Sequence, residues 1–223
     1  PAVVTISLAI GVRRMVKRSA LVRRLPIVET LGSTSVICSD KTGTLTKNEM
    51  TVRQVFADDR VLDVSGSGYE PAGAVMEAGQ AIEPPPGVRA MLSAATLASD
   101  ARLVSHDGRH QVEGDPTEGA LVVAAIKIGL IPADLNALEP RVAEIPFTSE
   151  RRRMTTLHSM RAGSMAYSKG ATEDVLASCI SQFSVDREVP LTDQCRARVL
   201  AVEQRMASEG LRVLAVASKR GAS

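Results

Sequence analysis

The sequence predicts an α+β fold, an antiparallel sheet flanked by helices, preceded by a short segment of different character. Three observations carry this. Strand-like apolar runs gather at Met50–Val64 and again from Arg141 onward; helical periodicity occupies separate stretches; and an isolated β-branched run near residue 36 ends in a polar string. Strands and helices segregated in blocks mark an antiparallel sheet rather than strict β–α alternation. At 223 residues, 44% hydrophobic and 23% charged, the chain suffices for one large domain or two smaller ones, and its composition excludes disorder.

The apolar stretch Pro1–Val12 is followed by Arg13, Arg14, Lys17, Arg18, Arg23 and Arg24, with no acid before Glu29. The net charge of +2 therefore divides into +6 over residues 1–24 and −4 over the remainder. Twelve apolar residues fall short of the ~20 that cross a bilayer. A basic run directly after them fits the cytoplasmic end of a membrane helix, or a cationic amphipathic helix on a soluble protein. The start at Pro1 reads as an excised piece.

Thr34–Cys38, Thr-Ser-Val-Ile-Cys, reads as a buried strand that delivers a polar loop at its carboxyl end, where open α/β sheets place their chemistry. Met50–Val64 alternates around a central Asp-Asp and reads as a hairpin. Ser65–Gly87, rich in Gly and Pro, reads as a surface excursion. Helices are expected at Val88–Ala101 and Thr117–Leu130, the second with Asp115 as N-cap and Pro116 in its first turn. Strands follow at Val142–Phe147, Met154–Met160 and Ser164–Ser168, then a helix at Thr172–Cys179. A hairpin edge at Gln182–Glu188, a long helix at Asp193–Ser208 stopped by Gly210 and a last strand at Leu211–Ala217 complete the chain.

Composition narrows function. With no Trp, two Tyr and three Phe, the chain has too few rings to stack successive bases, which argues against a nucleic-acid partner. Cys38, Cys179 and Cys195 are an odd number at wide spacing without CxxC, which argues against a disulfide framework or structural zinc. His106, His110 and His158 lack ligand spacing and read as surface or core residues. Neither GxxxxGK[ST] nor GxGxxG occurs.

The sharpest feature is Asp40-Lys41-Thr42-Gly43-Thr44-Leu45-Thr46. A carboxylate at a strand end, followed by Thr-Gly-Thr, offers a nucleophile among amides, hydroxyls and an ammonium that could hold a phosphoryl group in line. Further on, Glu118 stands in Gly114-Asp115-Pro116-Thr117-Glu118-Gly119-Ala120-Leu121, one turn into a helix, where a carboxylate can accept from an exocyclic amine or simply favour the helix dipole. Phe147, one of five rings, precedes the basic turn Arg151-Arg152-Arg153-Met154; core packing is its ordinary alternative. Ser168-Lys169-Gly170-Ala171 sets a lysine beside a glycine that lets a ligand approach the backbone. Arg212 lies in Gly210-Leu211-Arg212-Val213-Leu214-Ala215.

In these strings the chain resembles the P-type cation-transporting ATPases, whose phosphorylation motif matches residues 40–46 throughout and whose other motifs follow in family order. The branch resembled is that of calcium and sodium/potassium pumps. Relative to the animal calcium pumps Ser149 replaces an Arg, and Arg152 stands where a Lys is common.

The resemblance implies ATP and Mg²⁺ as cofactors. Asp40 would be the phosphorylated nucleophile, assisted by Lys41, Thr42 and Thr44, with Asp40 and Thr42 at Mg²⁺. Glu118, Phe147, Arg152, Met154, Lys169, Gly170, Ala171 and Arg212 would surround the nucleotide. It also implies an integral membrane protein whose present portion is cytoplasmic, with the transported cation bound elsewhere and the fragment monomeric and catalytically inactive alone. Residues 1–24 would be helix end and stalk, 25–47 the start of a Rossmann-like phosphorylation domain, 48–217 the nucleotide-binding domain, and 218–223 the return. Two other classes stay open: a haloacid-dehalogenase-type phosphatase, which normally carries Asp-x-Asp where Thr42 stands here, and a non-catalytic ATP-binding regulatory module.

Overall fold

In the computed structural model the described residues, 2–24, 26–41 and 44–221, divide into two units, Pro1–Lys47 and Asn48–Ser223. The first holds two helices, α1 (Ala2–Val16) and α2 (Pro26–Gly32), which touch where Gly11 meets Val28 and bury no side chain fully. Arg13 and Arg14 fall in the last turn of α1, where cations complement the helix dipole. Its apolar residues Val3, Val4, Ile6 and Ile10 are exposed. The strand expected at Thr34–Cys38 does not form: these residues are irregular, and Ile37 is 82% exposed. A short β-branched run becomes a strand only when another strand takes up its backbone hydrogen bonds, and no described residue does. No single helix among the described residues is long and apolar enough to cross a membrane.

The second unit is α+β. It opens with β1 (Gln54–Ala57) and β2 (Arg60–Val64), joined through Asp58 and Asp59, both at positive φ, the turn that matches strand twist. The expected Gly/Pro excursion after β2 contains a second hairpin instead, β3 (Val75–Glu77) and β4 (Gln80–Ile82), which extends the sheet in the order β1-β2-β3-β4. Its turn is Ala78-Gly79, again at positive φ, and Val75 is wholly buried.

Helix α3 (Pro86–Leu97) follows, ending four residues earlier than its periodicity suggested. It is apolar on more than one face and is buried accordingly. Val88 and Leu92 pack with Val55, Leu62, Val64 and Val75 of the first sheet. Ala94, Leu97 and Ala98 pack with Met165 and Tyr167 of the other. Small side chains there let that sheet approach closely. The N-terminus of α3 has no cap from its own flank; Asp58 accepts from Gly87 N at 3.0 Å and from Val185 N at 2.9 Å.

A hairpin that the sequence did not announce, β5 (Arg102–His106) and β6 (Arg109–Glu113), then leads into α4 (Pro116–Lys127). Asp115 caps α4 by accepting from Thr117 N at 2.8 Å and Glu118 N at 3.2 Å. Partial burial acts against the Asp115 carboxylate, yet these bonds and nearby Arg212 hold it below the ordinary range. After the short α5 (Pro132–Leu138) come β7 (Arg141–Ile145), β8 (Arg153–Met160) and β9 (Gly163–Gly170).

Then follow α6 (Thr172–Ala177), the hairpin β10 (Ser181–Ser184) and β11 (Arg187–Pro190), and α7 (Asp193–Ser208) with Thr192 as N-cap and Gly210 at φ +80° behind it. The last strand, β12 (Ala215–Arg220), starts four residues later than expected, so residues 218–220 belong to the sheet. The second sheet runs β12-β9-β8-β7, all antiparallel. The single sheet of the sequence reading is thus two four-stranded sheets and two separate hairpins among the described residues.

Beneath this sheet His158 is fully buried. Its Nδ1 donates to Glu139 O at 2.8 Å, which leaves Nε2 to accept from the Thr156 hydroxyl at 2.9 Å, and its ring meets Tyr167 edge-on. Tyr167 in turn donates to Glu139 Oε2 at 2.6 Å. Burial, helped by the Arg141 charge and opposed by Glu139, pulls the imidazole below its ordinary value. The unfolded chain therefore takes up this proton first, near pH ~6.5. Stability is whole above that pH and declines as pH falls toward the folded value. Urea midpoints measured from pH 7.5 to 5.5 are expected to fall, with a shallower fall in His158→Gln; equal slopes would show that His158 is not the group responsible.

Candidate functional site

Two residues that the sequence analysis singled out separately, Glu118 and Lys169, meet in one place. Lys169, on β9, puts Nζ 2.7 Å from Glu118 Oε1 and 2.8 Å from Ser99 Oγ. The second oxygen, Glu118 Oε2, accepts from Asp100 N at 2.7 Å and Ala101 N at 3.1 Å. Lys169 is 7% exposed along its side chain and Glu118 15%. Burial pulls the ammonium below the ordinary lysine value, and the Glu118 hydrogen bond pulls it back.

The topology explains the meeting. The antiparallel β5–β6 hairpin begins directly after the turn that leaves α3 and ends directly before the cap of α4, with Arg102 opposite Glu113. Residues 98–101 therefore lie beside the first turn of α4. Gly114, at φ +113°, allows this: a Cβ there would stand 2.9 Å from Ala101 Cα. Gly119 likewise sits where a Cβ would press to within 2.6 Å of Val112.

Lys169 is opposite Met154 on β8 and Val216 on β12, so Met154, itself buried, lies next to the ammonium's strand. Gly170 stands opposite Arg153, where a Cβ would reach 2.6 Å from Arg153 Cα and closer still to Arg152 O. Ala171 donates its amide to that same Arg152 O at 2.9 Å and opens α6. Arg152 holds a positive φ of 47° and faces outward, paired with Glu173 at 3.1 Å and Asp174 at 2.7 Å. Phe147 lies just past β7 and is 59% exposed as a residue, which does not fit the core-packing alternative. Arg212 is exposed, with Nη1 3.4 Å from Thr117 Oγ1, one residue before Glu118.

Asp40, Lys41 and Thr44 belong to the first unit. Asp40 is exposed, and Lys41 O accepts from Leu45 N and Thr46 N at 3.0 and 3.1 Å. Thr42 lies outside the described residues. Among the described residues no group of three or more His, Cys, Asp or Glu could hold a metal ion. Sequence reasoning missed Ser99, the amides of Asp100 and Ala101, and Arg141, which binds the carbonyls of that same turn. Extending the helix to Ala101 hid the turn, and no local motif marks Arg141.

Chemically, the cluster pairs a donor with an acceptor on one small patch. A carboxylate has about four lone-pair sites and an ammonium three donors. Three sites of Glu118 and two donors of Lys169 are engaged by these contacts, which leaves one acceptor valence on the carboxylate and one donor on the ammonium. Removing one partner of a buried pair strands the other charge, at about 3–5 kcal/mol. Glu118→Leu and Lys169→Met are each expected to destabilise by roughly that amount, and the double variant Glu118→Leu with Lys169→Met by less than the sum. Urea unfolding of the set checks this; additive losses would show that the two side chains act independently.

Comparison with known proteins completes the picture. The family described as P-type ATPase, cytoplasmic domain N, matches residues 87–222. The chain is 44% identical to "Probable cation-transporting ATPase F" of Mycobacterium tuberculosis over 225 residues, covering 100% of this chain and 25% of that protein. It is 43% identical to "Cation-transporting ATPase pma1" of Synechocystis sp., covering 98% of this chain and 25% of that one. To human "Calcium-transporting ATPase type 2C member 1" it is 42% identical, covering 98% and 24%. The chain thus spans about a quarter of the length of these curated relatives. With the domain N match over most of its length and the Asp40–Thr46 string ahead of it, this chain belongs to the P-type cation-transporting ATPase family.

Proposed function

We propose that this chain is the nucleotide-binding unit and phosphorylation site of a membrane pump that spends ATP to move a cation. The observation that carries the proposal is the Glu118–Lys169 cluster. It joins a carboxylate to an ammonium at 2.7 Å, each with one valence left over, an acceptor and a donor that complement an adenine edge, which offers an exocyclic amine next to a ring nitrogen. Guanine presents a carbonyl oxygen in place of that amine and would face the Glu118 carboxylate with like polarity.

Around this edge the exposed Phe147 ring supplies a stacking platform, and Met154 an apolar wall. Gly170 and Ala171 admit the ligand close to the backbone. Arg152 and Arg212 serve the phosphates, Arg152 by exchanging Glu173 and Asp174 for the more highly charged triphosphate.

Asp40 is the nucleophile. One carboxylate oxygen attacks the γ-phosphorus and forms an acyl phosphate while the bond to the β-phosphate oxygen breaks and ADP leaves. Lys41 offsets charge that develops on the phosphoryl oxygens, and the hydroxyls of Thr42 and Thr44 orient them. Mg²⁺ is commonly held by one or two carboxylates together with substrate phosphates. Asp40 and Thr42 would hold the ion, which would neutralise phosphate charge. Residues 25–47 belong in this view to a Rossmann-like phosphorylation domain, 48–217 to the nucleotide-binding domain and 1–24 to a stalk below a membrane helix. The cation and its ligands lie outside this chain.

Three outcomes are expected. In an NMR titration of the chain with ATP, resonances of Phe147 and Lys169 shift while those of Asp40 stay put. Phe147→Ala weakens ATP binding about 10-fold, as loss of a stacked base costs about 1–3 kcal/mol. Millimolar ATP that moves neither resonance would sink the nucleotide assignment. In the full-length protein, Asp40→Asn abolishes both ATP hydrolysis and the acid-stable phosphoenzyme formed from γ-labelled ATP; persistence of that species would show that Asp40 is not the nucleophile, and a wild type that forms none, with activity intact in Asp40→Asn, would favour a regulatory module without catalysis.

A further inference from the structure

We infer that Arg141 is a positioning residue for the purine end of this pocket, acting through the turn of residues 98–101. The inference rests on the proposal that Glu118 and Lys169 face the purine. Arg141 opens β7, and its side chain is 22% exposed. Nη2 donates to Leu97 O at 2.9 Å and Ser99 O at 2.8 Å, while Nη1 meets Asp100 Oδ1 at 2.5 Å and Glu144 Oε2 at 2.8 Å.

The carbonyls that leave a helix end have no partner within the helix. Here a single guanidinium collects one of them, Leu97 O, together with Ser99 O of the following turn and the Asp100 side chain. A planar fork with donors in fixed directions can do this, and an ammonium on a flexible stem cannot. The turn that Arg141 fixes is the one that aims the site. Ser99 Oγ donates to Ala95 O at 2.7 Å, so its lone pairs are left to receive Lys169. The amides of Asp100 and Ala101 both point at Glu118 Oε2. Arg141 touches neither Glu118 nor Lys169 in any of these bonds, yet the direction of both depends on where its fork holds residues 98–101.

A positioning role predicts loss of base discrimination, which a merely structural role would not produce. The chain is titrated with ATP and, separately, with GTP, and unfolding midpoints are recorded in parallel. Arg141→Gln is expected to weaken ATP binding about 10-fold while GTP binding changes less than about 2-fold, so the preference for ATP shrinks by the difference. Arg141→Lys is expected to show the same selective loss, because charge without the fork does not restore the turn. Should Arg141→Gln fail to fold, Ser99→Ala, which leaves the Arg141 bonds in place and removes only the hydroxyl facing Lys169, is expected to erode the preference likewise. An unchanged ATP-to-GTP ratio in these variants, whether both affinities fall together or neither does, would overturn the inference. A wild-type chain that binds ATP but does not discriminate overturns the assignment of Glu118 and Lys169 to the purine, and this inference with it. Failure of the wild type to bind ATP at all removes the nucleotide reading itself.

Discussion

A lysine ammonium that the fold removes from water must meet an opposite charge inside it, and at Lys169 that requirement organises much of the second unit. Glu118 answers it from the first turn of α4, and its other oxygen is held by two backbone amides from the turn after α3. Three segments far apart in the chain, 98–101, 115–119 and 167–171, are therefore tied at one point. The supporting residues follow from that tie. Asp115 and Pro116 start α4 where Glu118 must stand, Gly114 and Gly119 let it press against its neighbours, and Gly170 lets β9 pass close to Arg152 and Arg153.

Helix α3 carries the tie to the rest of the unit. It lies between both large sheets, packed with the first through Val88 and Leu92 and with the second through Ala94, Leu97 and Ala98. Its N-terminus is held by Asp58 from the β1–β2 turn and its C-terminus by Arg141 from β7. A helix anchored at both ends by other elements gives the turn behind it a defined position. Hydrogen bonds to that turn can then specify the geometry of a ligand contact.

The parts of the fold legible in the sequence are those whose cause is local. The β1–β2 hairpin has its Asp-Asp turn, α4 its cap and first-turn proline, and α7 its Gly210 stop. The β3–β4 and β5–β6 hairpins escaped because their strands are three to five residues long and their turns, Ala78-Gly79 and Asp107-Gly108, sit among other glycines and polar residues. Thr34–Cys38 misled in the opposite direction: β-branched composition describes a preference, and only a partner strand turns it into a ladder. Candidate contact residues such as Glu118, Phe147 and Lys169 stood out because each sits in a short contiguous string. Ser99 and Arg141 left no such trace, since their importance lies in contacts spanning 41 to 70 residues of chain.

The sequence by itself determined the α+β class, the cap of α4, the bounds of α7 and the family, because caps, periodicity and contiguous motifs are written in neighbouring residues. The tertiary structure alone decided that Lys169 and Glu118 are partners, that Phe147 is exposed, that Arg152 rests on Glu173 and Asp174, and that Arg141 holds the turn that aims the pair. The physical reason is that the energy of a charge depends on its solvent exposure and its neighbours. Both are set by the packing of distant segments, which no local pattern encodes.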